Sequence, residues 1–217
     1  MTPVLVLGGT FDPIHNAHLS TALGVAAQLD VEQVRLIPCG DPPHRPAPGA
    51  SVQQRLHMLQ AAVKDKPQFV IDTQELARTG PSYMVDTAAN LRHELGGQVP
   101  ICLMMGMDAF LGLSSWHRWQ HLADYVHIVV MARPGWQMVR EKMDAALVQW
   151  LAGRVVETVA QLLSKPSGYV LMTTVSQLNI SATQIREKIS AGQPIQGLLP
   201  EAVQRLIETE KLYRNKT

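Results

Sequence analysis

Six short apolar runs punctuate the chain: Val4 to Leu7, Val34 to Ile37, Phe69 to Ile71, Ile101 to Met105, Val126 to Met131 and Tyr169 to Met172. Each is continuous rather than alternating, which predicts strands buried on both faces, as in a parallel sheet covered by helices. Helical patterns lie between them. The clearest is Leu19, Ala22, Leu23, Ala26 and Leu29, an i, i+3, i+4, i+7, i+10 stripe that would cover one face of the sheet. Strand and helix alternate, so the fold class is α/β: a doubly wound, mostly parallel sheet with helices on both faces. Ligands of such sheets sit beyond the carboxyl ends of the strands, where the strand order reverses, and chemistry is sought there.

Two stretches break the pattern. CGDPPHRPAP, residues 39–48, holds four prolines and reads as a loop after the second strand. Residues 135–168 have a helical middle without a catalytic pattern and read as a peripheral insertion, and 181–217 read as a C-terminal helical segment. With 217 residues, 46% of them hydrophobic, the chain can bury one substantial core, and one domain over 1–217 is expected.

Charge narrows the partners. Nineteen lysines and arginines against 18 acidic residues leave a net charge of +1, too little for a basic field against a nucleic acid duplex or an anionic membrane. Any anion must be caught locally. Cys39 and Cys102 lack the spacing of a disulfide framework or a zinc site. The amino-terminal residues carry no basic leader and no run reaches membrane-spanning length, so a cytoplasmic protein is expected. A homo-oligomer stays open, because no heptad pattern separates an interface from the core.

The first run leads into GGTFDPIHNAH, residues 8–18. Paired glycines allow close backbone approach, and a helix starting near Asn16 would aim its free amides at an anion there. His15 and His18, three residues apart, would face the same side of the first helical turn. Neither the GxGxxG nor the Walker spacing is present. The plainer alternative makes Asp12-Pro13 turn chemistry, Asn16 an N-cap and the histidines solvated.

A second anchor lies at ISATQIR, residues 180–186. Ser181 to Gln184 is a capping box, with Ile180 and Ile185 as its hydrophobic staple. Ser181, Thr183 and Arg186 at a helix start could grip the outer phosphates of a triphosphate held by the first turn. Alone, the same residues read as a cap and a surface charge.

Together, GGTFDPIHNAH and ISATQIR resemble the HxGH nucleotidyltransferases, a Rossmann-like superfamily. Ordered blocks between them, PPHR at 42–45, RLHML at 55–59, RTGPSY at 78–83, GMDAF at 106–110 and Trp116, narrow the resemblance to bacterial nicotinate mononucleotide adenylyltransferases. It runs from the first strand to the final LLPEAVQRLIETEKLY and leaves out only the region around 135–168. Two positions depart from it: Ala17 replaces the glycine of HxGH, and Met84 stands where relatives often carry threonine.

The resemblance implies one nucleotidyltransferase domain that joins ATP and nicotinate mononucleotide into deamido-NAD and pyrophosphate, a step of NAD biosynthesis, with Mg2+ bound along with ATP and no dedicated metal site. It assigns His15, His18 and Arg186 to catalysis, and Gly8, Gly9, Thr10, Phe11, Gly106, Asp108, Ile180, Ser181 and Thr183 to ATP. Ser82, Tyr83 and Trp116 would meet the pyridine, and His44, Arg45 and Arg133 the acceptor phosphate. Asp108 also reads as a helix N-cap, and Trp116 as plain packing. Arg55 and Asp86 read equally as ion-pair partners and stay outside the site. Other acceptors, the amidated mononucleotide or phosphopantetheine, and a nucleotide-binding regulator without catalysis are the alternatives.

Overall fold

The computed structural model describes residues 2–41, 47–132 and 143–214. Seven strands alternate with helices in the order β1 (Val4–Gly9), α1 (Asn16–Leu29), β2 (Val34–Pro38), α2 (Val52–Val63), β3 (Phe69–Ile71), α3 (Met84–Leu95), β4 (Ile101–Gly106), α4 (Met107–Leu111), α5 (Leu122–Tyr125), β5 (His127–Ala132), α6 (Ala145–Leu151), β6 (Val155–Val156), α7 (Val159–Leu162), β7 (Val170–Thr174), α8 (Ala182–Ser190) and α9 (Glu201–Thr209). All strand pairs are parallel, in the sheet order β3-β2-β1-β4-β5-β7-β6. This is the doubly wound α/β arrangement the apolar runs predict.

Alternate side chains of each strand enter opposite layers, which is why the runs are continuous. Leu5 and Leu7 of β1 and Cys102 and Met104 of β4 join a core shared with α1, α2, α8 and α9. Val6, Ile101, Leu103 and Met105 face the other way, toward α3, α4, α5 and α6. Leu5, Val34, Leu36, Ile101 and Ile128 are wholly buried, and each such side chain contributes about 1.5–3 kcal/mol. Among the described residues no helix is long and apolar enough to cross a membrane.

Two details differ from the sequence expectation. Leu23 is exposed, and Val25 takes its place on the buried face of α1 with Leu19, Ala22, Ala26 and Leu29. The contact face is thus centred nearer 22 and 26 than the stripe implies. The second difference is β6, whose two residues pair with Val170 and Leu171 at the sheet edge. So short a strand leaves no periodicity to read.

The strand order reverses between β1 and β4, whose neighbours on the far sides are β2 and β5. The loops after β1 and β4 therefore open into one crevice. Leu7 of β1 lies opposite Met104 of β4, and Gly9 opposite Pro38 of β2.

Candidate active site

At the end of β1, the lack of side chains on Gly8 and Gly9 is used. A Cβ on Gly8 would lie 2.4 Å from Met84 Cε, and one on Gly9 would lie 3.1 Å from the Phe11 ring. Phe11 is buried in a left-handed conformation, φ 49°, and the Asp12-Pro13 peptide is cis.

The helix starts at Asn16, so His15 is its N-cap and His18 its third residue. The two imidazoles stack with centroids 3.6 Å apart, and the Phe11 ring meets His18 edge-on at 5.3 Å. The His15 amide donates to His18 Nδ1 at 3.3 Å. An accepting Nδ1 places the proton of neutral His18 on Nε2. His15 is 4% exposed, and burial pulls its imidazole down to about 4, so it is neutral near pH 7. Its Nδ1 leans toward the His18 amide without hydrogen-bond geometry and has no other partner among the described residues.

The expectation of free amides needs a correction. The Asn16 amide donates to the Leu198 carbonyl at 3.0 Å, and its side chain to the Gly197 carbonyl at 2.9 Å. Asn16 is therefore not the N-cap, and the segment before α9 takes the first donor of α1.

The start of α8 has the predicted capping box: Ser181 Oγ accepts from Gln184 N at 3.2 Å, and Gln184 Oε1 accepts from Ser181 N at 3.1 Å. Ile180 and Ile185 pack into the same core. Arg186 reaches back to the first turn. Its Nη1 donates to the Asp12 carbonyl at 2.7 Å, and its Nη2 to Thr183 Oγ1 at 3.3 Å. The two helix starts, distant in sequence, share one wall of the crevice.

Asp12 is the junction. Its carboxylate accepts from Gly49 N at 2.7 Å, Ala50 N at 3.1 Å and the Tyr213 hydroxyl at 2.7 Å, and lies 3.8 Å from Arg186. Arg55, 1% exposed, ties the loops after β1 and β2 together. It donates to the carbonyls of Thr10 at 2.7 Å, Cys39 at 2.8 Å and Gly40 at 3.1 Å. Arg55 is thus a carbonyl clamp, whereas Asp86 does form an ion pair, with Arg118.

Tyr83 sits at the N-cap position of α3 without a side-chain cap bond and stacks on His117, centroids 4.2 Å apart. Ser82 Oγ accepts from Gly40 N at 3.1 Å and Asp41 N at 3.3 Å. Trp116 is half-buried and packs against the core on the α3 face. At the end of β4, Gly106 is the N-cap of α4, and Asp108 is exposed in its first turn. The N-cap reading of Asp108 therefore does not hold. His44, Arg45 and Arg133 lie outside the described residues.

Sequence reasoning passed over Asp12, Tyr213 and His117. Arg55 left a signal: it sits on the apolar face of α2 with Met58, Leu59 and Ala62, where a lone charge needs partners.

Residues 6–188 match the cytidylyltransferase-like family model. The chain is 44% identical to a probable nicotinate-nucleotide adenylyltransferase of Serratia proteamaculans, covering 96% of this chain and 94% of that one. It is 46% identical to one of Halorhodospira halophila, covering 94% and 92%. The fold is shared with the Plasmodium falciparum nicotinic acid mononucleotide adenylyltransferase complexed with NaAD, at a TM-score of 0.71, 15% identity and 98% coverage of both chains. This chain therefore belongs to the cytidylyltransferase-like family and, within it, to the nicotinate-nucleotide adenylyltransferases.

Proposed function

We propose that the crevice transfers the adenylyl group of ATP to nicotinate mononucleotide, giving deamido-NAD and pyrophosphate in NAD biosynthesis. Among the site observations, the strongest support is the Arg186 bond to the Asp12 carbonyl, which brings the start of α8 to the turn bearing His15 and His18.

The acceptor phosphate attacks the α-phosphorus of ATP. One P–O bond forms, the bond to the bridging oxygen of the β-phosphate breaks, and pyrophosphate leaves with the electron pair. The nucleophile is already anionic at neutral pH, so neither a general base nor a covalent enzyme intermediate is required. Catalysis is then positioning and charge stabilisation. His18 presents Nε2–H to the reacting α-phosphate, and His15, neutral beneath it, holds that ring in place. Arg186, Thr183 and Ser181 hold the departing pyrophosphate, with Ile180 fixing the approach to α8.

The backbone from Gly8 to Phe11 runs beneath the nucleotide, and Gly106 and Asp108 meet its ribose. Tyr83, Ser82 and Trp116 form the pyridine end. Ser82 Oγ already receives two amides, and its part is to fix the loop. Backbone amides at the start of α3 then take the larger share of carboxylate recognition, since Met84 brings no hydroxyl. His44, Arg45 and Arg133 are assigned to the acceptor phosphate. Among the described residues no three His, Cys, Asp or Glu side chains gather to hold a metal ion. Magnesium enters with ATP as part of the substrate, neutralising phosphate charge.

Pyrophosphate release from ATP and magnesium, compared for nicotinate mononucleotide, its amide and phosphopantetheine, tests the reading. The acid should be the preferred acceptor. Preference for either alternative would reassign the substrate, and tight ATP binding without turnover on any of them would favour a regulator.

A further inference from the structure

The last described residues fold back onto the first turn. After α9, Lys211 and Tyr213 both adopt left-handed conformations, φ 53° and 60°. At Lys211 it is the left-handed end of α9, a Schellman turn in which the Lys211 amide donates to the Glu208 carbonyl at 3.3 Å. Tyr213 lies beyond that turn, where an L-residue needs other contacts to hold the conformation. Leu212 between them is buried in the core, and its amide donates to the Ile207 carbonyl at 3.0 Å. Gly49 makes room for the Tyr213 ring: a Cβ there would lie 3.1 Å from the ring and 3.7 Å from Arg186 Cδ.

The hydroxyl does something packing does not require. It donates at 2.7 Å to the carboxylate of Asp12, 201 residues away in sequence. Burial, and next the neighbouring Asp12 charge, push the Tyr213 phenol far above its ordinary range, so it remains a donor throughout the working pH range. The Asp12 carboxylate is held by Gly49 N, Ala50 N and Tyr213, while its backbone carbonyl receives Arg186. Tyr213 thus stands one residue removed from the guanidinium assigned to pyrophosphate.

We propose that Tyr213 is a positioning residue for adenylyl transfer: by fixing Asp12, its hydroxyl sets the Arg186 guanidinium against the pyrophosphate half of ATP. The proposal rests on the function assigned above. It makes the C-terminal segment a functional part of the ATP site, where packing alone would make it only a cover for the core between α2 and α9.

The test is Tyr213→Phe in the full chain, which removes one oxygen and keeps the ring. The expected result is a loss on the order of tenfold in kcat/KM for ATP, with KM for nicotinate mononucleotide unchanged. Direct titration should show ATP affinity falling in parallel. In an Arg186→Lys background, Tyr213→Phe should have little further effect, because the group it positions is already altered.

Unchanged ATP kinetics in Tyr213→Phe, equal losses for both substrates, or effects that multiply with those of Arg186→Lys would overturn the proposal. Thermal unfolding of the same preparations separates lost fold from lost positioning. Should Tyr213→Phe not fold, Asp12→Asn read by the same ATP-against-mononucleotide split carries the test. An unmodified protein that releases no pyrophosphate would instead refute adenylyl transfer itself, and the role of Tyr213 with it.

Discussion

Arg55→Lys keeps the charge and removes the geometry of the clamp after β1 and β2. The guanidinium reaches three carbonyls at 2.7, 2.8 and 3.1 Å from within a wholly buried position. An ammonium lacks the rigid fork and, from this helix position, satisfies one of them well. Two part-buried carbonyls lose a charged donor, at about 1.5 kcal/mol each, for a total of about 3 kcal/mol. For a chain of this size, that lowers Tm by roughly 6–12 °C. The loops at Thr10 and Gly40 are released together, so KM should rise for both substrates. Thermal unfolding by circular dichroism, followed by initial rates well below the new Tm, measures both effects. A Tm drop of less than about 2 °C would refute the claim that one side chain holds both loops.

Three other outcomes follow from the same geometry. His18→Ala should lower kcat on the order of a hundredfold if Nε2–H stabilises charge on the reacting phosphate, and steady-state rates near the wild-type value would remove that role. Burial takes His15 from 6.5 to about 4, so the unfolded chain binds the proton first. Stability present above pH 6.5 is lost as pH falls to about 4, by about 3 kcal/mol; His15→Gln should flatten that part of the Tm–pH curve, and an unaltered slope would contradict it. A Cβ on Gly40 would lie 2.9 Å from the Glu75 backbone oxygen, whereas one on Gly8 meets only the movable end of Met84. Gly40→Ala should therefore cost about 2 kcal/mol and Gly8→Ala less than about 1 kcal/mol, and denaturant unfolding in the reverse order would be inconsistent with these contacts.

What the sequence made legible follows from how local each signal is. Apolar runs mark six of the strands, among them β3 at the other sheet edge, where only Phe69 is buried. β6, two residues long at the sheet edge, could not. The start of α8 was readable because its capping box is written within four residues, Ser181 to Gln184. At the start of α1, histidines occupy the cap position and the third helical residue, and the residue that most resembles a cap, Asn16, donates instead to Gly197.

The residues that assemble the site were hidden by distance. Asp12 meets partners 37, 38 and 201 positions away, and nothing in an Asp-Pro dipeptide distinguishes such a junction from a turn. Arg55 left a partial trace as a charge on an apolar helical face, but its three carbonyl partners depend on how β1 and β2 pair. Leu23 shows the converse limit. Helical spacing places it on the stripe, whereas the face of α1 that meets the core is turned toward Val25 and leaves Leu23 exposed.

A crystal structure of the complex with magnesium and a non-hydrolysable ATP analogue tests the central claim most directly. The α-phosphate should lie about 3 Å from His18 Nε2 and the β- or γ-phosphate about 3 Å from the Arg186 guanidinium, with the triphosphate spanning the starts of α1 and α8. A triphosphate bound elsewhere, or touching one helix start and not the other, would contradict it.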